Sequence, residues 1–273
     1  MSKKTNKIVL YGKGGIGKST IASNLSMIYA RQGLKVLQVG CDPKHDSTSS
    51  LLKNRKEMKT VMDIVINKRR SEIVKDDFII RGKKGIDCIE CGGPQAGVGC
   101  AGRGISLMFE ILNDLDIIDK YDMVIFDVLG DVVCGGFAAP LKLNFADRVF
   151  IVVSEEFASL YAANNIARAI IHYEYNGIYL GGLIINLRDN QADLKNVHIF
   201  AQRLNTTVLA VIPRSKKISE ADYKNQTMIE AYPDSDLSRK FLDLANRILR
   251  CKKNNLNKLK PIEENNLYEV FLK

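Results

Sequence analysis

The chain has 273 residues, 46% of them hydrophobic and 26% charged, with a formal net charge of +9 and an isoelectric point near 9.2. That length can bury a sizeable core, and the lack of an apolar run of about 18 residues or of a leader-like segment after the basic start argues against a membrane or exported protein and predicts a cytoplasmic one. The positive excess would attract anions, but it is scattered or gathered in "RCKKNNLNKLK" (250–260) with no basic stripe interleaved with aromatics, so nucleic acid is not an expected partner.

The first predicted element is a strand, "KIVLY" at 7–11, which runs into "GKGGIGKST", Gly12 to Thr20, at the start of a helix over "KSTIASNLSMIYARQG". Gly12, four intervening residues, Gly17, Lys18 and Ser19 complete a phosphate-loop pattern in the strand-to-helix context that gives it meaning. Side chains at Gly12, Gly14, Gly15 and Gly17 would obstruct a backbone wrapped round an anion, and Ile16 to Thr20 leads into a helix N-terminus whose N–H groups face the phosphates. Lys18 would reach the β- and γ-phosphates, and Ser19 would ligate Mg²⁺. Lys13 is not required by the plain pattern. Either it is a surface lysine beside a glycine turn, or it crosses a dimer interface to neutralise charge on the phosphoryl group transferred at the other chain's site.

A second strand, "KVLQVGC" at 35–41, ends in "GCDPKHDST", which carries Asp42 and Asp46. Residues 53–84 are charged and irregular and read as an excursion with one short helix, either a solvated insertion or an interface element. The stretch "CIECGGPQAGVGCAGRG" (88–104) then leaves a strand and enters the helix "RGISLMFEILNDLDII". The strand "DMVIFDV" at 122–128 brings Asp127, with Asp131 four residues on. Acids at the carboxyl ends of parallel strands face the ligand crevice, which makes Asp127 a Mg²⁺ partner, directly or through water, and Asp42 or Asp46 the group that orients the attacking water. Further strands at 148–154, 180–186 and 207–213 alternate with helices such as "SLYAANNIARAIIHYEYNG". Their unalternating, β-branched runs suit strands covered on both faces. Right-handed crossovers then give an α/β fold, a phosphate-loop (P-loop) NTPase with an open, mostly parallel sheet covered by helices on both faces. Residues 1–250 are predicted to form a single domain, with 251–273 a loosely docked basic extension.

Six cysteines in a reducing compartment point to metal or catalytic use of some of them rather than a disulfide framework. Cys134, in "DVVCGGFAAP", follows Asp131 by three residues and Asp127 by seven, so a phosphate sensor is joined by a short tether to a metal-binding thiol. Cys100, in "GVGCAGRG", has open backbone around it. An iron–sulfur cubane needs four thiolates. Cys88, Cys91, Cys100 and Cys134 would supply them within one chain, or Cys100 and Cys134 from each of two chains; zinc would accept either set. Spacing alone favours the first arrangement.

These residues give the sequence a resemblance to the nitrogenase iron protein family, which includes the reductase components of light-independent protochlorophyllide reductase and of the methanogen nickel-tetrapyrrole cyclase. "YGKGGIGKST", "GCDPKHDST", "GGPQAGVGCAGRG", "FDVLGDVVCGGFAAP", "LYAANNIA" and "LGGLIIN" carry it, and the likeness runs over about residues 7–245. The resemblance implies a cytoplasmic homodimer that binds MgATP in each subunit and shares one [4Fe-4S] cluster. Electrons from a ferredoxin or flavodoxin would pass at low potential to a larger nitrogenase-like catalytic protein. It implies Cys100 and Cys134 of each chain as cluster ligands, with Cys41 and Cys88 left as core thiols. Lys13 becomes the cross-subunit lysine, Gly12 to Thr20 the phosphate loop, Lys44 a neighbour of the phosphates and Asn186 the base-side asparagine. Asp42 to Asp46 resembles a first switch with Asp42 as the water-orienting acid, and Asp127 to Asp131 begins a second. Arg103 stands where some family members are reversibly ADP-ribosylated. Cys91 departs from the serine or alanine of the family and is read as a buried substitution, a spare thiol or a competing ligand. "KHDST" and "GGFAAP" lean towards the tetrapyrrole-reducing branches, whereas "GRG", "LYAANNIA" and "IPRSKKISEADYKNQTMIEAYP" lean towards nitrogenase, as in a divergent nitrogenase-like reductase. Two other classes compete: a positioning or assembly ATPase of the ParA and MinD kind, which needs no cluster, and an iron–sulfur carrier ATPase, which gives its cluster away.

Overall fold

The computed structural model describes residues 5–93, 101–130, 135–143 and 145–269. Among them, the strands β1 (Asn6–Tyr11), β2 (Val36–Cys41), β3 (Ile80–Arg81), β4 (Asp87–Glu90), β5 (Met123–Val128), β6 (Arg148–Val153), β7 (Tyr179–Asn186) and β8 (Val208–Ile212) form one sheet. Its order is β3-β4-β2-β5-β1-β6-β7-β8, parallel throughout except where β3 pairs antiparallel with β4. The fold is thus the expected α/β type. The two-residue edge strand β3 escapes a sequence reading because it sits inside the charged excursion.

The helices are α1 (Lys18–Arg31), α2 (Val61–Asn67), α3 (Ala101–Asp114), α4 (Ala139–Lys142), α5 (Phe157–His172), α6 (Lys195–Arg203), α7 (Lys216–Tyr223), α8 (Met228–Ala231), α9 (Asp236–Arg250) and α10 (Glu264–Glu269). Both sheet faces are covered, which is why the strands do not alternate in polarity. Val9 and Tyr11 of β1 join the layer containing α3, α5 and α6, while Ile8 and Leu10 join the layer of α1 and α9. In α9 the buried Leu237, Phe241, Leu244, Ala245 and Ile248 follow helical spacing and form one apolar stripe. No helix among the described residues is long and apolar enough to cross a membrane.

The excursion before β4 is pinned at both ends. Thr60 and Asp63 exchange hydrogen bonds in a capping box that starts α2. Arg70 then forks onto Glu110 and Asp114 of α3 at 2.9 and 2.7 Å.

The C-terminal extension divides physically in two. Lys252, Lys253, Lys258 and Lys260 are exposed, as a basic solvated segment should be. Beyond them Ile262 and Leu267 are buried in the α5-side core, so this part is docked rather than loose. Asn164 of α5 holds it with a paired exchange, donating to the Ile262 carbonyl at 2.7 Å and accepting its N–H at 2.8 Å. Asn164→Ala would leave the buried Ile262 N–H without its partner, while the carbonyl keeps Arg168 at 2.9 Å, at a cost of about 1–3 kcal/mol. The expected result is a lower melting temperature; an unchanged thermal unfolding curve would show that the docked end contributes nothing to stability.

Candidate nucleotide and cluster site

The site lies where four central strands end together. The parallel register places Asp127 of β5 beside Leu10 of β1 and Gly40 of β2, and Gly40 beside Glu90 of β4. Gly12 to Ser19 turns off the end of β1. Gly12 (φ 143°) and Gly17 (φ 98°) occupy left-handed conformations, and each is also crowded: a Cβ at Gly12 would strike the Val152 carbonyl, and one at Gly17 the amide of Asn186. Around Gly14 there is space, so its lack of a side chain answers to no contact within the fold.

Lys18, 6% exposed, curls beneath the loop and donates to the carbonyls of Gly12 (2.8 Å) and Lys13 (3.1 Å). Gly17 precedes α1 without any side-chain cap, leaving the first-turn N–H groups directed at the loop's concavity. A cavity of about 230 Å³ opens there, lined by Lys18, Ser19, Thr20, Asp42, Lys44, Asp46 and Asp127 among others. The structure therefore gathers these predicted residues round one polar hollow of suitable charge for a phosphate chain and a divalent cation.

Asp127 is almost wholly buried. Burial pushes its carboxyl up, against the hydroxyls of Ser19 and Ser47 and the charge of Lys18, which pull the other way. A bound cation would replace that opposition by direct compensation. Asp42 accepts the Lys44 N–H at 2.8 Å, and Lys44, His45 and Asp46 are exposed. His45 lies in the left-handed region (φ 46°) with a ring nitrogen 3.2 Å from the Pro43 carbonyl, outside the cavity lining. Ile16 buries its side chain and offers its carbonyl to Asn186 Nδ2 at 2.7 Å, so Asn186 bears on the loop itself. Lys13 is not among the lining residues; its ammonium stands 3.9 Å from Glu156, both half-exposed. Asp131, Cys100 and Cys134 lie outside the described residues. Ser215 caps α7 through the Lys217 N–H.

A buried polar layer under the site was not legible in the motifs. Gln38 of β2 donates to the carbonyl and hydroxyl of Ser47 at 3.0 and 3.1 Å and accepts from Ser26 of α1 at 2.7 Å. Glu90 accepts the N–H of Thr48 at 2.6 Å and its hydroxyl at 2.8 Å. Its second oxygen, Oε2, has no hydrogen-bond partner among the described residues. Burial above all, and the charges of Asp127 and Asp46, push the Glu90 carboxyl up to about 8 against the pull of Thr48, so it is held neutral. On the opposite rim, Arg188 donates to the Gly15 carbonyl at 2.7 Å.

The spacing argument for Cys88 and Cys91 as a ligand pair fails on strand geometry. Side chains three apart on an extended chain point to opposite faces, and Cys88 lies in the α1-side core while Cys91 lies in the α3-side core. Both are fully buried; burial raises both thiols, Cys91 to about 12, which disfavours the ligating thiolate. Cys41 is likewise a buried thiol. By contrast, the segments that follow Cys100 and Cys134 converge: a Cβ on Gly136 would run into the backbone of Gly102 in the first turn of α3. Tyr11 donates to the Phe137 carbonyl at 2.6 Å and ties the second of these segments to the end of β1.

A family model described as "4Fe-4S iron sulfur cluster binding proteins, NifH/frxC family" matches residues 6–273. The nitrogenase iron protein of Methanospirillum hungatei JF-1 is 46% identical over 246 residues, covering 89% of this chain and 87% of that protein. That of Methanococcus voltae is 42% identical, with 97% and 95% covered. Among solved structures, the septum site-determining protein MinD of Pyrococcus horikoshii with Mg-ADP superposes with a TM-score of 0.70 at 20% identity, covering 89% of this chain and 96% of that one. Cobyrinic acid a,c-diamide synthase of Mycobacterium smegmatis, with ADP and magnesium, reaches 0.67 at 20% identity, with 90% and 95% covered. At that identity these two structures carry the fold alone.

Proposed function

Since the chain belongs to the NifH/frxC family of 4Fe-4S iron–sulfur cluster binding proteins, we infer that it is an ATP-dependent donor of low-potential electrons, hydrolysing ATP as it passes electrons to a separate catalytic protein. The single observation that carries this reading is near full-length identity of 46% to a nitrogenase iron protein. It acts as a dimer within a partner-dependent electron-transfer system. The finer assignments are one [4Fe-4S] cluster per homodimer, MgATP in each subunit, a ferredoxin or flavodoxin upstream and a larger nitrogenase-like protein downstream.

In this reading Cys100 and Cys134 of each chain hold the cluster, which when bound supplies a reversible one-electron centre. Lys18 and the N–H groups of Gly14 to Thr20 bind the phosphates. Ser19 and Asp127 hold Mg²⁺. Asp42 orients the attacking water, with Asp46 and Lys44 beside it, and Asn186 steadies the loop on the base side. Asp127 and Asp131 then transmit the loss of the γ-phosphate along the short tether to Cys134, a nucleotide switch working on an electron donor. The convergence at Gly102 and Gly136 supports the cysteine assignment, because it brings both ligand-bearing segments of a chain to one place.

The test is anaerobic reconstitution with iron and sulfide, followed by iron counting and visible absorbance. Cys100→Ala and Cys134→Ala are expected to abolish the cluster, while Cys91→Ala keeps it. A cluster that survives either of the first two substitutions would end the shared-cluster reading. Cluster-free protein whose ATP hydrolysis equals that of the loaded dimer docked to its acceptor would end the coupling.

A further inference from the structure

The end of β4 is clamped between two parts of the molecule. On one side its backbone is fixed, since the Cys91 N–H donates to the Gly40 carbonyl at 2.8 Å and the Cys91 carbonyl accepts from Met62 at 3.0 Å. Gly92 is packed so closely on Thr60 that no Cβ would fit. On the other side lies the loop Asp42–Thr48, whose first residues line the nucleotide cavity. That loop touches the β4 exit twice. Thr48 gives both of its hydrogen-bond donors to Glu90 Oε1, and Pro43 covers Gly93, where a Cβ would come within 2.6 Å of the proline ring.

Neither contact is explained by phosphate binding. Glu90 is completely buried, is absent from the cavity lining, and carries a carboxyl oxygen without a hydrogen-bond partner among the described residues beneath the loop. A buried acid in that state is costly unless it performs a structural task, and its partners among the described residues belong to Thr48, at the far end of the loop whose first residues line the cavity. In sequence, the β4 exit leads on through Gly93 to Cys100.

We propose that Glu90 is a positioning residue which, together with the Pro43–Gly93 contact, couples the Asp42–Thr48 loop to the end of β4, giving nucleotide state a route towards Cys100 separate from the Asp127–Cys134 tether. The proposal rests on the reading of Asp42 and Asp46 as nucleotide-sensing. MgATP, by holding those acids through Mg²⁺ and the water at the γ-phosphate, keeps Thr48 and Pro43 seated on the strand exit. MgADP loosens both seats, and the exit opens more often.

Cys91 is a native reporter for this motion, because its buried thiol reacts only when the exit opens. The experiment is anaerobic alkylation of the cluster-loaded dimer with iodoacetamide, with the modified cysteine located by peptide mapping, in MgATP and in MgADP. Nucleotide affinity is measured on the same samples. In the unsubstituted protein, labelling at Cys91 is expected to be about tenfold faster in MgADP than in MgATP, a shift in a local opening equilibrium. Glu90→Gln, which keeps an oxygen acceptor for Thr48, preserves the ratio. Glu90→Leu and Gly93→Ala, which unseat Thr48 and Pro43 respectively, reduce it to within about twofold while both nucleotides still bind. If Glu90→Leu and Gly93→Ala keep the full ratio, or if the unsubstituted protein binds both nucleotides and shows none, the coupling is wrong and the proposed function stands. If the unsubstituted protein binds neither nucleotide, the functional reading falls and the coupling with it.

Discussion

Lys13→Gln is expected to lower ATP hydrolysis in the docked complex by about 10³-fold or more while leaving nucleotide binding largely intact, the scale seen when a charge supplied from a second subunit is removed from phosphoryl transfer. Two lysines belong to the phosphate loop, and their surroundings differ. Lys18 is buried, is held against the carbonyls of Gly12 and Lys13, and lines the cavity, which supports the proposal that it binds the nucleotide of its own chain. Lys13 does not line the cavity, and among the described residues its ammonium has one ion-pair partner, the half-exposed Glu156 at 3.9 Å, a weak surface contact. A half-exposed ammonium there is open to a second copy of the chain.

A mixed dimer decides the matter more sharply than either single variant. One chain carries Lys13→Gln and the other Asp127→Asn. If Lys13 acts across the interface, one of the two sites keeps an intact Asp127 together with an intact lysine from the opposite chain, and about half of the hydrolysis per dimer survives. If Lys13 acts within its own chain, both sites are broken. Activity no higher than in the Lys13→Gln homodimer would sink the cross-subunit assignment.

How legible the site is in the sequence depends on how local its determinants are. The phosphate loop is contiguous, and its glycines answer to backbone conformations that a nine-residue window specifies, so "GKGGIGKST" can be read directly. Asp42 and Asp127 could be placed because strand ends of a parallel sheet converge, a rule of topology rather than of contact. Glu90 could not, because its meaning lies in Thr48, 42 residues away in sequence, and in burial that no motif encodes. The same holds for Gln38, which in "KVLQVGC" looks like a polar interruption of a strand and is the hub of a satisfied hydrogen-bond network. Cys88 and Cys91 mislead for the opposite reason. Their spacing imitates a metal motif, but that motif belongs to turns, and on a strand the parity of three residues sends the two thiols into different cores. Likewise "PIEENNLYEV" carries too few apolar residues to announce its docking, which is secured by the side chain of Asn164 on a distant helix.

If Cys100 and Cys134 hold the cluster as proposed, the close approach of Gly102 and Gly136 makes Gly136 the position where the smallest change should have the largest effect on it. An added methyl group would meet the carbonyl, Cα and carbonyl carbon of Gly102 at once. None of these can rotate away, so one backbone must withdraw from the other. Overpacking of this kind costs about 1–3 kcal/mol in a core that can adjust. Its effect on a ligand set is greater, because a metal site tolerates displacement of only about 0.5 Å. The shift would be passed to Cys134 and Cys100, each two residues upstream of the colliding glycines. Gly136→Ala is therefore expected to lose nearly all cluster iron after anaerobic reconstitution, while MgATP still binds, since no residue lining the nucleotide cavity is altered. Gly135→Ala is the control: it changes the same tether by the same methyl group, but among the described residues nothing lies within 4 Å of the new atom, and it should keep its iron. Equal iron content in the two variants would mean that the Gly102–Gly136 approach has no part in shaping the cluster site.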